Sequence, residues 1–229
     1  MKKELIIISD FDGTITIQDV NNSIFDTFGD EKNVEIENKY INNEVGEKET
    51  LKNHYLNLNL TEKEFQEFIK EKIEIDPYFK DFLHYVKENQ YKFVIVSSGF
   101  LNYINLILKE NNIDEDLKIY ANHLEFTPGK IKTHFLHDIK SCHQPFGICG
   151  NCKYKVVKEY KNKFKKVLYI GDGLTDRCVA ELADYLFVKS GSSLEEYCQN
   201  KNINYQGFNS FLDVHRLFKE VESDVLSGS

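Results

Sequence analysis

The stretch LIIISDFDGT, residues 5–14, constrains the fold of this chain more than any other. Four consecutive β-prone apolar residues, Leu5 to Ile8, read as a short strand buried on both faces, the kind found in parallel sheets. The run stops at two carboxylates two apart, Asp10 and Asp12, with Gly13 and Thr14 behind them. Open α/β sheets place their ligands at the carboxyl ends of their strands. Neighbouring carboxylates repel and resist desolvation, so the pair calls either for a solvated turn or for a divalent cation. On this stretch alone both readings stand.

The rest of the chain has a regular texture. From Val20 to Asn89 it is charged, with apolar residues at three- and four-residue spacing, as in Phe65, Phe68 and Ile69 or Phe79, Phe82, Leu83 and Val86. This spacing predicts helices over 20–28, 34–42, 47–56, 61–72 and 77–89. Thr61 followed by Glu64 has the form of a capping box, and Pro77 suits a first helical turn. Beyond this block, apolar runs at 92–96, 117–121, 166–170 and 185–188 read as strands, separated by helices over 101–110, 154–162, 177–183 and 193–201. Residues 123–135 alternate around Thr127-Pro128-Gly129 and predict a β-hairpin. A last helix is expected near 210–222, with a loose polar tail from 223. Alternating strands and helices predict an α/β fold, a Rossmann-like, mostly parallel sheet flanked by helices, with a small α-helical cap inserted after the first strand. The expected domains are a core formed by 1–16 and 90–229 and a cap formed by 17–89.

Three of the strands end in residues that carry chemistry: Asp10 and Asp12, then Ser97, Ser98 and Gly99, then Gly171, Asp172, Gly173 and Asp176. Lys153 lies between the second and third sets. In a parallel sheet these strand ends share one edge, so the groups can converge. Carboxylates hold a hard Mg²⁺ through oxygen, and one carboxylate can attack phosphorus while a second gives and takes the proton. Hydroxyl and ammonium groups can hold the phosphoryl oxygens.

DFDGT at 10–14, the strand ending at Ser97, Lys153 and GDGLTD at 171–176 resemble, in order, the four motifs of the haloacid dehalogenase-like phosphatase superfamily. The resemblance spans nearly the whole chain. It implies that Asp10 is the nucleophile and Asp12 the general acid/base. It further implies that Ser97 and Lys153 bind phosphate, with Ser98 able to exchange roles with Ser97 because the chain has Ser-Ser-Gly where the family usually shows Ser-Gly-Gly. Asp172 joins Asp10 and the Asp12 carbonyl at Mg²⁺, and Asp176, Gly171, Gly173 and Thr14 support the site. The helical insert between the first two motifs, with the hairpin before the third, is similar to the phosphoserine phosphatase branch. CGNCK at 149–153 and GDGLTDRCVAELADYLFV resemble the methylthiopentenyl-phosphate phosphatase group of methionine salvage. Phosphoserine phosphatases usually carry Glu where this chain has Asp19, which weakens phosphoserine as substrate. Asp19 and Asn22 remain candidate substrate contacts or helix caps.

The expectation is thus a Mg²⁺-dependent phosphatase acting on a small phosphorylated metabolite through an aspartyl-phosphate. The methylthiopentenyl phosphate is one candidate substrate, with phosphoserine and phosphocholine or phosphoethanolamine as alternatives. Rival readings are a phosphotransferase on the same scaffold and a non-catalytic protein that keeps the metal and binds phosphate.

Five cysteines, three of them between 142 and 152, favour free thiols or a metal over disulfides in a cytosolic chain. Cys142, His143, Cys149 and Cys152 could hold zinc, form a disulfide or belong to an ordinary loop. A net charge of −8 and a pI of 5.4 argue against nucleic acid and anionic membranes. No apolar run approaches the ~20 residues of a membrane span, and the N-terminus has no secretory h-region, so the expected location is the cytoplasm. The chain is expected to be a monomer or a homodimer.

Overall fold

The computed structural model describes residues 3–42, 44–113, 116–137 and 147–227. Its centre is a seven-stranded sheet in the order β4-β3-β2-β1-β5-β6-β7. The strands are β1 (Lys3–Ser9), β2 (Lys92–Phe100), β3 (Lys118–Thr127), β4 (Lys130–His134), β5 (Phe164–Gly171), β6 (Tyr185–Lys189) and β7 (Gln206–Phe208). All neighbours pair in parallel except β3 and β4, which form an antiparallel hairpin at the edge. β1 lies in the middle, with Ile8 opposite Val94 of β2 and Tyr169 of β5.

The four apolar residues of β1 are shared between the two faces of the sheet, as a strand's period of two requires. Leu5 and Ile7 join one apolar cluster, and Ile6 and Ile8 the other. The second cluster is closed by helices α7 (Lys153–Lys161), α8 (Arg177–Ala180) and α9 (Ser193–Lys201). The first is covered by α5 (Phe79–Glu88), α6 (Leu101–Glu110) and α10 (Phe211–Ser227), and extends without a break into α1 (Val20–Phe28), α3 (Glu47–Asn57) and α4 (Glu62–Lys72). In α5, Phe79 and Phe82 pack tilted or edge-on against Phe93 of β2 and Phe211 of α10, with ring centroids 5.0–6.3 Å apart. Each such buried ring contributes roughly 1.5–3 kcal/mol, which welds α5 to the sheet although it follows the other inserted helices in sequence.

Two linkers join the inserted helices to the sheet, and they run side by side. Ile17 N–H donates to Glu74 O and Asp76 N–H to Ile15 O, both at 2.9 Å, around the single bridge between Thr16 and Ile75. The capping box at Thr61 and Glu64 is present as expected.

Several expected boundaries move. The strand at 117–121 and the first arm of the hairpin are one continuous strand, β3, which pairs with β2 through its first half and with β4 through its second. α5 starts at Phe79 rather than Pro77, because the Asp76 carboxylate takes the N–H groups of Tyr78 and Phe211 before the helix begins. The tail from 223 continues α10 to Ser227, where Val225 packs on the core and Asp224 accepts a hydrogen bond from Tyr185. The helix after Asp176 is a single turn, α8, and β7 has no counterpart in the sequence reading.

Candidate active site

The site forms where β1, β2 and β5 end. The pairing of β2 with β3 shifts register between Val96 and Phe100, so the Ser97-Ser98-Gly99 backbone leaves the regular ladder. Side chains satisfy the freed groups, as buried backbone requires. Asn151 Nδ2 donates to Ser97 O and to Tyr120 O, each at 2.8 Å, and Asn122 Nδ2 donates to Ser98 O at 2.7 Å. The CGNCK stretch is thereby pinned against β2 and β3 by Asn151, and Lys153 becomes the first residue of α7.

Lys153 is 1% exposed. Its Nζ lies 2.6 Å from Asp10 Oδ2 and 2.6 Å from Asp176 Oδ1. Burying three charges is tolerable only with such pairing. Asp176 is fully committed: Oδ1 also accepts from the Tyr169 hydroxyl, and Oδ2 accepts from the N–H groups of Asp172 and Gly173 at 3.1 and 3.0 Å. Asp10 Oδ1 accepts from Phe11 N–H at 2.7 Å. Thr14 donates its hydroxyl to Asp172 Oδ1. The motif glycines make room for these carboxylates. A Cβ on Gly13, whose φ is +72°, would stand 2.5 Å from Asp172 Oδ2, and one on Gly171 would stand 2.6 Å from Asp176 Oδ2.

One oxygen each from Asp10, Asp172 and Asp176 lies within 4.8 Å of the other two. This hard, all-oxygen set fits a small divalent cation. With the Asp176 oxygens already taken by four donors, Asp10 and Asp172 have the capacity to ligate, and Asp176 steadies them. The electrostatics agree. Asp10 is held well above the ordinary carboxylate range by burial and by the charges of Asp176 and Asp172, against the pull of Lys153. Asp172 is pushed up to about 7 by burial and by Asp176.

Asp12 has a different environment. Its Oδ2 accepts from Ser97 Oγ at 3.0 Å and from the Tyr103 hydroxyl at 2.8 Å, while Oδ1 is buried without a partner. Burial pushes its pKa up to about 7. The expected pair of hydroxyls is therefore divided. Ser97 is engaged with Asp12 and with Gly99 N–H, whereas Ser98 lines the cavity, where its buried hydroxyl lacks a partner of good geometry and neighbours the Glu47 carboxyl.

Above these residues lies a cavity of about 340 Å³, enclosed on its far side by α1, α2 (Glu31–Ile41) and α3. Its walls carry six carboxylates, those of Asp10, Asp12, Asp19, Glu37, Glu47 and Asp172, and no Lys or Arg among the described residues. Asp19 caps α1 by accepting Asn22 N–H at 2.8 Å, and both residues face the cavity, so capping and access coincide. His54 stacks on Phe25 at 4.1 Å and meets Glu37 through Nε2 at 3.3 Å. Glu47, on the first turn of α3, accepts Gly150 N–H at 3.4 Å, and burial raises its pKa.

Sequence reasoning missed Glu47, His54, Asn21, Tyr103 and Asn151. Asn151 lies within CGNCK, where only Lys153 was singled out, and the other four belong to no local motif. Only the polar Asn21, beside Val20 and Ile24 on the buried face of α1, carried a trace of signal. For the zinc reading, Cys142 and His143 lie outside the described residues. Among the described residues the metal-competent group is the aspartate one, and Cys152 is a free thiol.

Comparison with known proteins places the chain among phosphatases. Residues 5–222 match the Putative Phosphatase family. A 2-hydroxy-3-keto-5-methylthiopentenyl-1-phosphate phosphatase of Bacillus cereus is 30% identical, over 93% of this chain and 95% of its own length. A polyol phosphate phosphatase of Saccharomyces cerevisiae is 28% identical, over 94% and 93%. Among solved structures, a phosphoserine phosphatase bearing an analogue of the phospho-aspartyl intermediate superposes with a TM-score of 0.68 at 18% identity, covering 96% of this chain and 99% of that one.

Proposed function

The chain belongs to the Putative Phosphatase family, within the haloacid dehalogenase-like superfamily, and from that premise we propose that it hydrolyses small, hydroxyl-bearing phosphate monoesters in two steps on Asp10. In the first step Asp10 Oδ2 attacks phosphorus, the bond to the leaving oxygen breaks, and the proton on Asp12 Oδ1 passes to that oxygen. In the second, Asp12 takes a proton from water, which attacks the aspartyl-phosphate and releases inorganic phosphate. Lys153 and Ser98 hold the non-bridging oxygens, a role in which Ser98 replaces Ser97. Asp10, Asp172 and the Asp12 carbonyl would hold Mg²⁺, which would supply the charge that lets an anionic ester approach the carboxylates.

The single observation that carries this reading is the asymmetry of the two carboxylates. Asp10 is tied to Lys153, while Asp12 offers one unpartnered, protonatable oxygen. It is the division of labour expected of a nucleophile and an acid.

The substrate class rests on the cavity wall. Six carboxylates with no Lys or Arg among the lining residues suit hydroxyl groups and repel a second anion. This favours polyol or methylthiopentenyl-type phosphates over phosphoserine, whose carboxylate finds no cation among the described lining residues. The same wall supports phosphocholine or phosphoethanolamine as a second reading, because a cationic head group suits Asp19, Glu37 and Glu47. The cap that selects among them is proposed as 17–76, with α5 assigned to the core on its packing against β2 and α10. We place the enzyme in the cytoplasm as a monomer or homodimer. No helix among the described residues is long and apolar enough to cross a membrane.

The test is release of phosphate with Mg²⁺, first from p-nitrophenyl phosphate and then from a panel of polyol, methylthiopentenyl, serine and choline phosphates. Asp10→Ala is expected to lose activity by about 10³-fold or more. Retained turnover in that variant removes Asp10 as nucleophile, and tight binding without turnover by the unaltered protein favours the non-catalytic reading.

A further inference from the structure

A chain of hydrogen bonds runs from the inserted helices to the proposed acid, and nothing in the four motifs accounts for it. The Tyr55 hydroxyl on α3 donates to Asn21 Oδ1 on α1 at 2.8 Å. Asn21 Nδ2 donates to the Tyr103 hydroxyl on α6 at 3.1 Å, and Tyr103 donates to Asp12 Oδ2 at 2.8 Å. Both tyrosines are fully buried and Asn21 is 8% exposed. A phenol has one proton to give. With Asn21 donating to it, Tyr103 spends that proton on Asp12.

The backbone is shaped around this contact. A Cβ on Gly99 would stand 1.6 Å from the Tyr103 hydroxyl and 2.4 Å from Asp12 Oδ2, so residue 99 has to be glycine for the phenol to reach the carboxylate. Ser97, whose own oxygen accepts Gly99 N–H, supplies the second donor to Oδ2. Two directed donors saturate Oδ2. The transferable proton is thus confined to Oδ1, on the residue that lines the cavity.

Resting on the phosphatase reading above, we infer that Tyr103 is a positioning residue, held by Asn21 and Tyr55 of the inserted helices, that fixes the Asp12 carboxyl so that Oδ1 alone faces the leaving oxygen. The acid is then fully set only when α1 is seated against α6.

The inference is tested by the demand of the leaving group for a proton. p-Nitrophenolate leaves unprotonated, whereas phenolate, of nearly the same shape, is far more basic and needs the acid. Tyr103→Phe removes one oxygen and keeps the ring. It is expected to lower kcat/KM, which reports the leaving-group step and not hydrolysis of the shared aspartyl-phosphate, by about 10- to 100-fold more for phenyl phosphate than for p-nitrophenyl phosphate, a fraction of what a positioned acid contributes. Asn21→Leu, which unseats the phenol from the other side, should show the same split with a smaller ratio, and it decides the matter by the same criterion if Tyr103→Phe fails to fold. Equal losses with both esters, or no loss with either, overturn the inference and leave Tyr103 a packing residue. Absence of Mg²⁺-dependent turnover of both esters by the unaltered protein would instead overturn the phosphatase reading itself.

Discussion

At the scale of single residues, what matters is how each buried charge is compensated. Lys153 is 1% exposed and serves two carboxylates at 2.6 Å. Removing it leaves Asp10 and Asp176 facing each other without a cation. Lys153→Met is therefore expected to lower the unfolding free energy by about 3–5 kcal/mol, read from urea titrations in chelator-containing buffer, and to abolish turnover. A loss under about 1 kcal/mol would mean that the two aspartates shed their charge at small cost. The aspartates were legible in the sequence because parallel strands bring their carboxyl ends to one edge, and Lys153, the first residue of α7, through the likeness of its motif. Tyr103 was not legible: it reads as one more apolar position of α6, and only the approach of its hydroxyl over Gly99 distinguishes it.

At the scale of elements, the first turn of α3 is the joint between the inserted helices and the loop that leads to Lys153. Lys48 N–H donates to Ile148 O at 3.0 Å, and Glu47 accepts Gly150 N–H. The two backbones touch. A Cβ on Gly46 would stand 2.7 Å from Ile148 N, and one on Gly147, whose φ is +83°, would stand 2.9 Å from Gly46 Cα. Gly46→Ala should lift α3 off this loop and withdraw Glu47 from Ser98, lowering kcat/KM by about tenfold through misplacement and the Tm by about 2–8 °C through the backbone overlap. Unaltered kinetics would show that the contact does not shape the cavity. Thus the described end of the cysteine-rich loop has a structural reason in Asn151 and in its contact with α3. The positions of most helices and the capping box at Thr61 followed from local spacing, whereas the ends of α5, α8 and α10 did not. The merging of two predicted strands into β3 did not, since it depends on β2 being available along one half and β4 along the other.

At the scale of the whole molecule, the site is a store of electrostatic tension. Asp12 and Asp172 are each pushed up to about 7, and Asp10 and Glu47 are raised as well, in every case chiefly by burial. A carboxyl whose folded pKa exceeds its unfolded value of about 3.9 contributes stability below that value, and the contribution is lost as pH rises through the folded pKa. Metal-free protein in EDTA is thus expected to melt at a lower temperature at pH 8 than at pH 5, by about 5 °C or more. Saturating Mg²⁺ should restore most of the difference at pH 8 and little at pH 5, where protons compete for the same oxygens. A Tm that is flat between pH 5 and 8 without metal would show that the carboxylates are better solvated than their burial implies.

The sequence by itself determined the parallel α/β core, the helical insertion and the set of charged residues at the strand ends. Those follow from residue spacing and from the few side chains able to carry phosphoryl chemistry, and both are local properties. Tertiary structure alone decided that α5 packs with the sheet although it lies within the inserted segment, and that Ser98 rather than Ser97 faces the cavity. It likewise decided that carboxylates from α1, α2 and α3 line the far wall. Each of these depends on which groups, distant in sequence, the packed elements bring together, and the Tyr55–Asn21–Tyr103–Asp12 chain, spanning residues 12 to 103, is the fullest case.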